Sequence, residues 1–184
     1  TLAELSHKRL LALQAALKKV AIDKQSQNPY KDFLKAHEKE IAYSEPSAEW
    51  LVRSDVLWEL HAKYRALPIG EEIAWTAAKN PIPGECEGYI NCYLYLLRAT
   101  DGEYLNFYPN GKYSRQSLQN VTNLLEPIAA DVTEKTVYSS ATDTSDRADF
   151  NRYLTELRAI ITKTPHIEKS KTLAQIRQIA EGHR

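Results

Sequence analysis

Leucine, isoleucine and aromatic residues recur every three or four positions through most of this chain, in stretches separated by proline or glycine. This spacing places apolar side chains on one face of an α-helix. A strand would instead alternate apolar and polar residues, and the only rival segment is 104–113, where Asn110-Gly111 could turn a short hairpin. The pattern therefore predicts an all-α fold, a bundle of seven to eight helices.

The breaking and capping residues predict where individual helices begin and end. Asn28-Pro29 is expected to start one helix, and Ser114 and Ser170 to start two others. Pro68 and the segment 80–84 are expected to interrupt the helical pattern. The predicted helices span about 2–22, 28–41, 44 or 47 to 67, 70–79, 87–108, 114–130 and 150–164, and a last helix runs from 170 through 179.

The length and composition are those of an ordinary globular chain, with 184 residues, 43% of them hydrophobic and 26% charged. We expect a single helical domain over 1–184, with the helix in 1–27 as a candidate appended arm. No apolar run approaches the roughly 20 residues that a transmembrane helix needs. We therefore predict no transmembrane segment.

The charges balance overall but not locally. Lys and Arg number 24, as do Asp and Glu, which argues against a nucleic-acid-binding protein. Residues 1–42 carry a net charge of +3, residues 43–144 carry −6, and residues 145–184 carry +3. Either the basic terminal helices pack around the acidic middle, or the middle offers an acidic docking face to a basic partner.

One passage resembles a known family. Within 74–125, the run Tyr104-Leu105-x-x-Tyr108-Pro109-x-Gly111-x-Tyr113 is similar to the helix-turn-helix junction of bacterial tetratricopeptide-like repeats. In that junction a tyrosine-rich helix ends at Tyr-Pro-x-Gly and a second helix packs back against it. The resemblance implies a helix-turn-helix in the middle of the bundle, and protein–protein interaction rather than catalysis.

The two cysteines, Cys86 and Cys92, allow three interpretations. Cys86 could be a nucleophile before a helix N-terminus, although no histidine is near it in sequence. The cysteines could also be two idle thiols, or they could form a disulfide. A continuous helix would hold their Cα atoms roughly 9 Å apart, too far for a bond. Gly84 and Gly88 would let the chain fold back and bring them together.

The cellular location follows from this choice. A disulfide predicts a periplasmic or secreted protein, and two free thiols leave the cytoplasm as the alternative. The chain has no methionine and begins at Thr1, which signal-peptide cleavage or another boundary would each explain.

Acidic and aromatic residues crowd around the cysteines. Tyrosine is amphipathic and common at interfaces, although these tyrosines could instead line the core of a helical hairpin or stack on a carbohydrate. The interaction candidates are Glu85, Glu87, Tyr89, Tyr93, Tyr104 and Tyr108.

The sequence thus predicts a non-enzymatic protein-binding module with an unidentified protein partner. The alternative is a helical hydrolase that uses Cys86 or a pair of carboxylates. Neither a calcium-loop spacing nor a glycine-rich phosphate loop is present, so we expect no metal site and no cofactor.

Overall fold

The computed structural model of the chain describes residues 1–45, 47–134, 137–139 and 144–182. The predicted all-α class is confirmed, since helices account for well over half of the chain and one small two-stranded sheet accompanies them. The chain divides into two compact units, Thr1–Glu85 and Cys86–Arg184. A single domain over 1–184 stays a prediction.

The first unit contains four helices and a hairpin. Leu10, Leu13 and Leu17 form the apolar stripe of the first helix and are buried against side chains from the other elements. This helix is therefore part of the core of the unit. The elements are α1 (Leu2–Leu17), a 3₁₀ turn (Ile22–Lys24), α2 (Tyr30–Ala36), β1 (Ile41–Ser44), β2 (Glu49–Val52), α3 (Ser54–Tyr64) and α4 (Gly70–Lys79).

The hairpin corrects the prediction of one helix over 44–67. Strands β1 and β2 pair antiparallel, with Tyr43 opposite Trp50 and their ring centroids 5.3 Å apart. The helix begins only at Ser54. Strands of four residues are too short to show a clear alternation of apolar and polar residues, which is why the sequence pattern did not predict them. They are stabilised by contacts between side chains on the two strands, and such contacts leave no local pattern.

An ion pair links α1 to the segment before β1. The Arg9 guanidinium binds both carboxylate oxygens of Glu40, and His37 Nδ1 lies 3.2 Å from Glu40 Oε2. Hydrogen bonding to Arg9, supported by His37, lowers the pKa of Glu40 to about 2. The ionised carboxylate is thus favoured in the folded chain.

We expect the free energy of unfolding of Glu40→Gln to depend less on pH in the acid range than that of wild type. Because folding lowers the pKa of Glu40, its contribution is present above the unfolded value of about 4.3 and is lost as pH falls toward 2. The Arg9–Glu40 pair is partly exposed to solvent, so we expect it to contribute about 0.5–1 kcal/mol to the free energy of unfolding. Urea unfolding at pH 6 and pH 3 measures it. Glu38→Gln, at an exposed carboxylate, should keep the wild-type dependence on pH, and equal profiles for all three proteins would contradict the prediction.

The second unit is a bundle of helices. Helix α5 packs along α8, α7 packs along α9, and α8 packs against α9. Its core includes Leu94, Leu118, Leu125, Leu157 and Ile161, all nearly or fully buried. The helices are α5 (Ile90–Ala99), α6 (Asp101–Phe107), α7 (Ser114–Asp131), α8 (Thr144–Lys163) and α9 (Lys169–Gly182).

The predicted long helix over 87–108 is divided at Thr100. Thr100 has φ −113° and ψ −102°, outside the helical region, and its hydroxyl donates to the Leu96 carbonyl. A Cβ on Gly102 would lie 2.7 Å from the Leu97 carbonyl oxygen and 3.2 Å from Leu157 Cδ2. Glycine therefore permits the close approach of α5 and α6.

Gly102→Ala is expected to destabilise the protein, although alanine has a higher helix propensity than glycine. Alanine would favour a helix by about 1 kcal/mol, but the clash with a backbone oxygen outweighs this gain and leaves a net loss of about 1–2 kcal/mol. Urea unfolding measures the difference. The control is Asn106→Ala on the same helix, which should be neutral or slightly stabilising. A more stable Gly102→Ala protein would show that the neighbouring backbone gives way.

Helices α6 and α7 form a helix-turn-helix that packs together across the turn at 108–113. The Gly111 amide donates to the Tyr108 carbonyl, and the Ser114 amide donates to the Gly111 carbonyl. Tyr104 is fully buried, and its hydroxyl accepts a hydrogen bond from the Tyr113 amide at 3.0 Å. Tyr104 thus holds the turn in place.

Candidate functional site

A disulfide closes a small loop at the start of the second unit. The sulfur atoms of Cys86 and Cys92 lie 2.04 Å apart and their Cα atoms 5.3 Å apart, so the predicted pairing is present in the structure. Helix α5 begins at Ile90, which leaves Cys86 outside the helix and able to fold back. Glu87 and Gly88 adopt φ of 46° and 82° in the turn between them.

A second segment, 137–139, packs against this turn. The Ser139 amide donates to the Gly88 carbonyl at 2.9 Å, and the Ile90 amide donates to the Ser139 carbonyl at 3.1 Å. The carboxylate of Asp131 in turn accepts hydrogen bonds from the amides of Val137 and Tyr138. We call 86–93 together with 137–139 the braced loop.

The side chains of the braced loop combine one exposed carboxylate with aromatic rings. Glu87 is exposed, and Tyr89 and Tyr93 are half-buried. The rings of Tyr93 and Tyr138 meet edge to face with centroids 5.5 Å apart. Burial, with smaller effects of Tyr93 and Asp131, raises the pKa of the Tyr138 phenol. That hydroxyl therefore stays protonated and able to donate a hydrogen bond.

Asn91 anchors the loop to α8. Its amide nitrogen donates to the Tyr89 hydroxyl at 3.2 Å and to the Asp146 carbonyl at 2.7 Å. Its Oδ1 is buried without a hydrogen-bond partner in the described part of the chain. These bonds fix the position of the Tyr89 ring relative to the bundle.

Acidic residues outnumber basic ones at this end of the second unit. Helices α5 and α8 begin here, since Asn91 and Asp146 are bonded, and α7 and α9 end here, since Gln178 donates to the Ala129 carbonyl. Acidic side chains near helix N-termini are favoured by the helix dipole. Among the described residues the charges at this end are Glu87, Asp131, Glu134, Asp146, Asp149 and Glu181 against Arg147, Arg152 and Arg177.

The structure brings only part of the predicted surface together. Glu87, Tyr89 and Tyr93 share the braced loop, whereas Glu85 is exposed at the end of the first unit. Tyr104 and Tyr108 lie beyond the other end of α5, with ring centroids 5.6 Å apart. Since Tyr104 is fully buried, it offers no surface to a partner.

Two contributors to the braced loop were missed from the sequence. Tyr138 and Asp131 lie in or next to a Thr- and Ser-rich stretch that was expected to be a plain loop. The bridge between Tyr89 and Ser139 joins segments about 50 positions apart. No local pattern signals such a pairing, although an isolated tyrosine in a polar stretch is a weak hint of a contact.

In this structure Cys86 is not available as the nucleophile of the hydrolase alternative, because both cysteines are in the disulfide. The other form of that alternative, which uses a pair of carboxylates, stays a prediction. Ser114 Oγ lies 2.8 Å from His166 Nε2 and 2.7 Å from the Gly111 carbonyl oxygen. These contacts tie the turn at 108–113 to the α8–α9 connection.

The described residues contain no group of three or more His, Cys, Asp or Glu side chains arranged to hold a metal ion. None of their helices combines the length and the hydropathy needed to cross a lipid bilayer.

Comparisons of this chain with protein-family models, with curated proteins and with solved structures found no match. The resemblance to tetratricopeptide-like repeats therefore stays a prediction.

Proposed function

We propose that this protein is a non-enzymatic binding module whose braced loop docks a basic segment of a protein partner outside the cytoplasm. The observation that carries the proposal is the number of restraints placed on an exposed acidic turn. Glu87 is held at a positive φ, which is costly for a residue with a side chain. Such a conformation is typical of functional sites, where the surrounding structure maintains it.

The restraints on Glu87 are independent of one another. The disulfide fixes the ends of the turn, the backbone of 137–139 pairs with Gly88 and Ile90, and Asn91 ties the loop to α8. A loop that is ordered before binding loses little conformational entropy when a partner docks. The arrangement therefore favours recognition by a fixed surface over folding on contact.

The chemistry of the surface defines the class of partner. Glu87 is exposed in the same braced loop that holds the half-buried Tyr89, Tyr93 and Tyr138, at the acidic end of the unit. Tyrosine supplies contact area, and its ring face attracts cations. Lysine or arginine side chains of a partner would thus find both a counter-charge and an aromatic surface.

The disulfide supports the proposed location. Disulfides persist in oxidising compartments and are rare in the cytoplasm. A periplasmic or secreted protein would keep the Cys86–Cys92 bond, and with it the shape of the braced loop.

The proposal is tested by quantitative capture with the oxidised full chain. Wild type, Glu87→Arg and the control Glu38→Arg are immobilised and incubated with native extract, and bound proteins are compared by mass spectrometry. Glu38 is an exposed carboxylate of the first unit, so both variants change the net charge equally. We expect at least one protein whose recovery falls about tenfold or more with Glu87→Arg alone.

Two further features of the captured protein are expected. Its recovery should fall as salt is raised, because exposed charges are screened. Its contact segment, mapped by cross-linking to the braced loop, should be rich in lysine or arginine. Recovery that is the same for Glu87→Arg as for Glu38→Arg, for every protein captured, would overturn the proposal.

A further inference from the structure

The facing sides of α8 and α9 leave a groove of about 450 Å³ on the second unit. Leu154 and Ile176 are buried in its floor, and Leu173 is half-buried at one end. The lining extends from Asn151 to Thr162 on α8. At a rise of about 1.5 Å per residue this is roughly 16 Å, or three helical turns.

Two arginines line the groove from opposite walls. Arg158 on α8 and Arg177 on α9 are both exposed, and neither forms an ion pair with a described residue. Other arginines of the unit do have acidic partners, as Arg98 has in Glu103 and Glu156. The lining also holds one acidic residue, Glu181, one helical turn beyond Arg177 on α9. The charged residues of the lining therefore sum to +1, and neither arginine is held in an ion pair with a described residue.

We propose that this groove binds an acidic amphipathic helix of a protein partner. The helices α8 and α9 run antiparallel, so Arg158 and Arg177 lie along the middle of the groove. Apolar residues lie on either side of them, with Leu154 toward one end and Leu173 toward the other. A docked helix would match this order with apolar residues at both ends and Asp or Glu in its central turn.

The dimensions and chemistry fit a helix docked in a groove. In this binding mode apolar anchors at i, i+3, i+4 and i+7 fill an apolar floor, and three turns suffice to place them. Arginine binds carboxylates through two parallel hydrogen bonds, which would fix the position of the docked helix along the groove. An anionic amphiphile, such as a lipid with its charge at one end, would contact the apolar residues on one side of the arginines and leave those on the other side uncovered. This site is separate from the braced loop and does not depend on its function.

A displayed library of amphipathic helices of about 16 residues tests the proposal against the oxidised full chain. The library is randomised at the positions of one helical face, and binders are selected on wild type. We expect recovered peptides to carry Asp or Glu in the central turn. Their affinity should fall about tenfold or more for Arg158→Ala/Arg177→Ala.

The matched control is Arg147→Ala/Arg152→Ala, which removes two exposed arginines of α8 that do not line the groove. These binders should keep their affinity for the control and for Glu87→Arg. Selection on Arg158→Glu/Arg177→Glu should instead enrich Lys or Arg in the central turn. A failure to recover any binder, recovery of peptides without central acids, or equal affinity for wild type and Arg158→Ala/Arg177→Ala would overturn the proposal. So would binding to vesicles of anionic phospholipid that depends on these arginines while no peptide binds.

Discussion

Gly88→Ala is expected to lower the free energy of unfolding by about 2–4 kcal/mol. Gly88 has φ 82°, and a Cβ placed there would lie 2.4 Å from the Val137 carbonyl oxygen. Because the obstacle is backbone, the segment 137–139 must move away. Both hydrogen bonds between Ser139 and the loop would then be weakened.

The control for Gly88→Ala is Gly84→Ala. Gly84 also has a positive φ, 124°, but a Cβ there would meet no atom within 4 Å. It should therefore show the cost of the backbone conformation alone, about 1–2 kcal/mol. Urea unfolding of both variants measures the difference. Equal losses would mean that contact with Val137 contributes nothing to the stability of the braced loop.

Removing the disulfide with Cys86→Ser/Cys92→Ser is expected to cost about 2 kcal/mol, a value set by the short length of the closed loop. The double variant should also recover less of the protein partner in the capture experiment, because Glu87 would no longer be held in its turn. Urea unfolding is measured with and without a reductant. The reductant should destabilise wild type by a similar amount and leave the double variant unchanged. Wild-type unfolding that is insensitive to the reductant would contradict the prediction.

The helices were predictable where local signals suffice. Helix α4 spans Gly70–Lys79 as predicted, because Pro68 and Asn80-Pro81 mark both ends and the apolar spacing is regular between them. The stripe of Leu10, Leu13 and Leu17 likewise lies in the core of the first unit. Propensity, periodicity and breaking residues agree in these segments.

The errors fall where a long-range contact decides the backbone. The segment 44–52 was assigned to a helix because Trp50 fits a seven-residue spacing, but its ring packs on Tyr43 across a strand pair. The break at Thr100 depends on how closely α6 approaches Leu97 and Leu157. The contact between Tyr43 and Trp50 has no trace in the local sequence, whereas Gly102 is a local sign of the break near Thr100.

The residue types of the candidate site were predictable, but the backbone contacts that hold them in place were not. Glu87, Tyr89 and the two cysteines could be chosen from composition and spacing. The bracing segment 137–139 could not, since it joins the loop by backbone hydrogen bonds to which any residue type contributes. Tyr104 was an interaction candidate, but it is buried in the helical hairpin, which was the other alternative for these tyrosines. The sequence left both open because tyrosine is common in surfaces and in cores.

The position of the disulfide also has a mechanical consequence. Cys86 is the first residue of the second unit, and Cys92 lies within α5. Tension pulled along the chain from the first unit would pass from Cys86 to Cys92 through the sulfur–sulfur bond and bypass 87–91. The acidic turn would therefore carry no load, and its shape would persist under forces that stretch the polypeptide on either side of it.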